Sequence, residues 1–174
     1  MKKKIILISS IAILAILICG LVICNVVSKN KYKKLTETIG VKSAEKIKYE
    51  IPKFSLTIGG IYDNTITNVD CANLDVYKFK AVMDDGIYKR VYEYVGIKVE
   101  DVLEMANMDN YNKITFMSSG FLQVTYSKDE ITDNTYFVFE VDGKTYEYPD
   151  SIALVNPELN ARYSITGLAR LNFD

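Results

Sequence analysis

The chain has no histidine and no tryptophan, and only three arginines and three cysteines among its 174 residues. The missing histidine removes several chemistries together. A Ser-His-Asp or Cys-His nucleophile, a histidine-held metal and a histidine-held haem are all excluded. Acid–base work would fall to Asp, Glu, Lys, Tyr or Cys. The arginines are Arg90, Arg162 and Arg170, a thin supply of donors for cradling a highly charged phosphate. Cys19 and Cys24 lie in an apolar run, so the rest of the chain holds only Cys71. No internal disulfide framework can form there.

What is present points to a folded domain with an appendage. Hydrophobic residues make up 49% of the chain, enough for a packed core. The net charge of −1 hides an asymmetry. Of the 21 Lys and Arg, seven Lys fall in residues 1–34, which hold no acid; 14 remain against 22 Asp and Glu, a net of −8. A net-acidic domain lacks the phosphate-neutralising surface that nucleic acid demands, so no nucleic-acid partner is expected.

The sequence MKKK (1–4) precedes a run from Ile5 to Cys24 with no charged residue. Twenty residues of helix span roughly 30 Å, about one hydrocarbon core. The run is longer than the apolar region of a cleaved signal peptide and no small-x-small site follows it. Residues 5–27 are therefore read as an uncleaved transmembrane signal anchor. Lysines lie on both sides of the span, so the positive-inside rule does not choose a topology. The short basic N-terminus favours a single-pass protein of the cell membrane, with its soluble domain outside the cytoplasm. Residues 28–50, polar and rich in Lys, read as a linker, and residues 51–174 as the domain.

Within 51–174 the pattern is mostly that of strands. Phe54, Leu56 and Ile58 alternate before Gly59 and Gly60. Asp84-Asp85-Gly86 separates two β-prone runs, and Asp142-Gly143 separates two more; both are hairpin signals. Val99, Val102, Leu103 and Ala106 fall at helical spacing and predict one short amphipathic helix. ITFMSS and FLQVTYS form a further strand pair around Gly120. Asp129-Glu130 opens a helical turn with Ser127 as its cap. The sum is a β-rich α+β domain.

The order of these pieces resembles the molybdopterin-binding domain of the sulfite-oxidase-like oxidoreductases, over about residues 52–172. The pieces are LTIGG, Gly96-Ile97-Lys98-Val99 opening the helix, Ser119-Gly120-Phe121 in place of an Asp-Gly-Tyr turn, Leu154-Val155-Asn156-Pro157, and the closing RYSITGLARLNF. The triplet Cys71-Ala72-Asn73 also resembles the family's Cys-Ala-Gly-Asn-type stretch, whose cysteine ligates molybdenum. In the family that cysteine closes a later strand. Here the matching strand is VYKFKAVM, which ends in Val82-Met83. The resemblance therefore implies the fold, in a degenerate stand-alone member.

Four residues are candidates for a cofactor site: Cys71, and Ser118, Ser119 and Gly120 where the family's turn approaches its cofactor. Each has a plainer reading, a small, half-buried residue on a short helix or turn for Cys71 and an ordinary turn for the others. The tyrosines, among them Tyr88, Tyr92, Tyr94, Tyr146 and Tyr148, read first as cross-strand packing and second as a carbohydrate- or peptide-binding face. No catalytic residue, no metal ligand and no cofactor is expected. The leading functional reading is a membrane-anchored module that binds a small ligand or an envelope protein. The alternatives are a minimal molybdopterin-dependent oxidoreductase built on Cys71, and a structural cell-envelope protein.

Overall fold

The computed structural model describes residues 38–84, 89–159 and 161–174. The expected span at 5–27 lies outside them. Among the described residues no helix is long and apolar enough to cross a membrane. Twelve strands and one α-helix are described. They are β1 (Gly40–Ile47), β2 (Ser55–Gly60), β3 (Asn64–Thr67), β4 (Val76–Asp84), β5 (Lys89–Lys98), α1 (Val99–Met105), β6 (Lys113–Ser118), β7 (Gln123–Ser127), β8 (Tyr136–Val141), β9 (Lys144–Thr145), β10 (Ala153–Val155), β11 (Ile165–Thr166) and β12 (Leu168–Phe173).

The strands make two sheets. One runs β1-β4-β5-β8-β10-β11, with the short β9 also on β8; the other runs β3-β2-β12-β6-β7. All pairings are antiparallel except β2 with β12, which joins the two ends of the domain in parallel, Thr57 opposite Arg170 and Gly60 opposite Phe173. The main core lies between the sheets. Leu56, Ile58, Phe116 and Leu171 from the smaller sheet meet Ile97, Phe137 and Phe139 from the larger, and all are buried. Ring contacts tie the layers, Phe54 to Phe139 at 6.0 Å and Phe116 to Phe137 at 6.3 Å. The helix caps this core through Val99, Val102 and Leu103, the stripe its periodicity predicts.

The larger sheet buries its other face too. Successive strand residues point to opposite faces, so Phe137 and Phe139 enter the main core while Tyr136 and Val138 join a second cluster with Phe79, Ala81, Met83 and Tyr94. The continuous apolar run Tyr136–Phe139 follows from burial on both sides. Gly96 makes room for this. A Cβ there would stand 2.3 Å from the Phe137 carbonyl oxygen, so only glycine lets β8 come this close.

Turn chemistry sets the hairpins. Asp142 and Gly143 both have positive φ, 49° and 75°, the geometry a two-residue turn between twisted strands requires. The turn docks on β5, where the Asp142 amide donates to the Glu93 carbonyl at 2.7 Å and Asp142 Oδ1 accepts from the Glu93 amide at 2.9 Å. Asp84 pairs with Lys89 across the β4–β5 hairpin, whose connecting residues 85–88 lie outside the described residues. Ser127 opens a 3₁₀ turn over Lys128–Glu130, and both its amide and its hydroxyl donate to Glu130 Oε2, at 2.8 and 2.9 Å.

One boundary changes. Residues 40–47, placed by their polarity in the 28–50 linker, form strand β1 and pair with β4 from Gly40–Val82 to Ile47–Val76. Most of β1 is exposed. An edge strand held by backbone pairing has no need of an apolar face, and its charged side chains block further pairing at that edge.

Candidate functional site

The four candidate residues do not converge. Cys71 lies in the turn after β3, fully buried in the main core. Its amide donates to Thr67 O at 3.3 Å and its carbonyl accepts from Leu74 N at 2.9 Å. Burial, then the neighbouring Asp70 charge, pushes its thiol up to about 12. A protonated, enclosed thiol is neither a nucleophile nor a ready ligand. It is a small core residue, more deeply enclosed than the half-buried position its sequence setting suggests.

Ser118, Ser119 and Gly120 form the β6–β7 turn. Ser118 Oγ accepts from the Leu122 amide at 3.0 Å, and Ser118 N donates to Leu122 O at 2.8 Å. Ser119 N donates to Gly167 O at 2.9 Å, and Ser119 Oγ donates to Asp150 Oδ1 at 2.6 Å. These bonds pin the turn to the loops before β10 and between β11 and β12. They also hold Phe121 at φ 64°, 88% exposed, and Leu122, 66% exposed. A non-glycine residue at positive φ is uncommon, and here it presents two large apolar side chains to solvent.

Leu122 is the link to a pocket of about 390 Å³. Met83 from β4, Tyr92 and Tyr94 from β5, Tyr146 beyond the Asp142-Gly143 turn, and Ser164 also line it. The strand register explains the grouping. Ala81 faces Tyr92 and Phe79 faces Tyr94 across β4–β5, so Met83, Tyr92 and Tyr94 share the second-cluster face. The Tyr92 and Tyr94 rings lie 5.8 Å apart. Tyr146 is carried in by its amide bond to Phe139 O at 2.9 Å. Burial raises the pKa of both Tyr94 and Tyr146, so their hydroxyls stay neutral. Ser164 Oγ is buried with no hydrogen-bond partner among the described residues.

Of the tyrosines singled out in the sequence, Tyr92, Tyr94 and Tyr146 meet here, Tyr148 is exposed and Tyr88 lies outside the described residues. Leu122 and Ser164 escaped sequence reasoning, and Met83 entered it only as the residue that ends β4 in place of a cysteine, not as a pocket residue. The Gly120 turn signal pointed near Leu122; nothing local marked the other two as a pair.

The chain is similar to the sulfane dehydrogenase SoxCD from Paracoccus pantotrophus, with a TM-score of 0.58 and 15% identity over 69% of this chain. Over the matched stretch the domain shares the fold of that protein. This supports the sulfite-oxidase-like architecture that the ordered motifs imply. The matched region spans 38% of the dehydrogenase chain, and at this identity the likeness concerns the fold alone. No family model and no curated protein matches the sequence.

The described residues of the pocket do not fit a molybdopterin. Among the described residues no charged side chain lines it, whereas a pterin phosphate needs several charged or N–H donors. No group of three or more Cys, Asp or Glu able to hold a metal occurs among the described residues either.

Proposed function

We propose that the chain is a membrane-anchored, extracytoplasmic binding module on a sulfite-oxidase-like fold that works without molybdopterin. The observation that carries this reading is Met83. It sits at the end of β4, where the family resemblance puts the metal-ligating cysteine, and it lines an aromatic pocket rather than a charged one. A thioether is a soft, neutral group suited to packing against rings. The chain's one cysteine outside the apolar run is enclosed in the core. The uncharged run at 5–27 supports the anchor.

The test is elemental and pterin analysis of the full chain, purified from cells grown with ample molybdate. The expected result is molybdenum and pterin far below one equivalent; stoichiometric molybdenum overturns the reading. The likeness to a dehydrogenase supports one rival, a minimal molybdopterin-dependent oxidoreductase using Cys71. That rival requires Cys71→Ala to abolish cofactor loading, whereas the binding module loses only packing.

A further inference from the structure

We infer that the Met83–Tyr94 pocket takes a neutral, flat aromatic small molecule bearing a hydroxyl or carbonyl, stacked among the tyrosine rings and hydrogen-bonded to Ser164. The inference deepens the binding-module reading and rests on it.

Four observations converge. The cavity, about 390 Å³, has the size of a small-ligand site. Three rings and a thioether, Tyr92, Tyr94, Tyr146 and Met83, share its walls with aliphatic side chains such as Val141, Leu154 and Ile165; the rings and the polarizable sulfur are what favour a flat aromatic guest. The Ser164 hydroxyl is buried and unpartnered among the described residues, an arrangement that costs free energy until a ligand atom satisfies it. Finally, no charged side chain is among the described residues that line the site, and an ionised ligand would lose hydration on entering it. Leu122, lining the pocket yet two-thirds exposed, is the rim residue that such a guest would cover.

The test uses the full chain in nanodiscs with methyl-labelled methionine, read by NMR. The Met83 signal is assigned by its loss in Met83→Leu. The probe is 2-naphthol. We expect the Met83 methyl to shift saturably while those of Met105 and Met108, outside this pocket, stay in place. 2-Naphthoate, the same ring with a carboxylate, should bind at least about tenfold more weakly. Ser164→Ala should weaken 2-naphthol by about two- to tenfold and leave naphthalene unaffected. Leu122→Ala, a surface change safe for folding, should also weaken 2-naphthol. An unmoved Met83 methyl, equal shifts at all methionines, or naphthoate binding as well as naphthol would each overturn the inference. Its failure is distinguishable from that of the parent reading: molybdenum in the protein overturns the cofactor-free reading, whereas an unmoved methyl in molybdenum-free protein overturns only the ligand.

Discussion

The rings of Phe79 on β4 and Tyr136 on β8 stack with centroids 4.0 Å apart, although β5 runs between their strands. Phe79 faces Tyr94 on β5, and Tyr136 faces Lys98. Gly96 lies between those two β5 positions, on the same face, and has no side chain to keep the rings apart. The same glycine admits the β8 backbone on its other flank. One residue thus seats both the second cluster and the strand that brings Tyr136 and Val138 to it.

Gly96→Ala is therefore expected to destabilise the domain by about 3 kcal/mol, the upper end of what overpacking costs. The new Cβ would press on the Phe137 carbonyl, which cannot rotate away. A urea midpoint equal to that of the parent chain would refute this.

Cys71→Ala removes a fully buried sulfur and leaves a small void. The expected loss is about 1–2 kcal/mol. Because the thiol is enclosed and protonated, the number of thiols reacting with a disulfide reagent in the native chain should be unchanged by the substitution. A drop by one would show that Cys71 is accessible.

Alkaline pH should weaken the fold before it breaks backbone structure elsewhere. Burial raises Cys71 from 9.0 to about 12 and Tyr136 from 10.0 to about 12. Both groups keep their protons in the folded state at pH values where the unfolded chain has released them. Their contribution is thus fully present below pH 9 and lost as pH rises towards about 12. Denaturant midpoints at pH 8 and pH 11 check this; equal midpoints would contradict it.

Asn156 is buried, and its side chain spans three elements. Nδ2 donates to Glu130 O at 2.9 Å and to Thr135 Oγ1 at 3.1 Å, while Oδ1 accepts from Glu158 N at 2.9 Å. Asn156→Ala takes this partner from the Glu130 carbonyl and the Glu158 amide, while Thr135 Oγ1 keeps its bond from the Thr132 amide, and should cost about 1–3 kcal/mol. The fold should survive, with the pocket's Met83 methyl signal in place. A stability change within experimental error would mean that water replaces the amide.

Where a residue's conformation depends on near neighbours, the sequence was sufficient to read it. Val99, Val102 and Leu103 announce α1, Asp142-Gly143 announces the β8–β9 turn, and Ser127 with Glu130 announces the 3₁₀ turn. Their signals are periodicity, positive φ and capping, all settled within a few residues. β1 carried no such signal. Its Lys and Glu side chains look like linker because the strand relies on β4 for its hydrogen bonds and buries little of its own surface.

The sequence by itself determined a β-rich α+β domain and an aromatic supply, and it removed histidine chemistry outright. Only the tertiary structure decided which tyrosines share a pocket, that Met83 and Ser164 join them, and that Cys71 does not. The reason is distance along the chain. Met83, Leu122, Tyr146 and Ser164 are brought together by pairings and turns spread over some eighty residues. No local pattern encodes such a meeting, because what brings it about is burial of both faces of one sheet, a property of the folded whole.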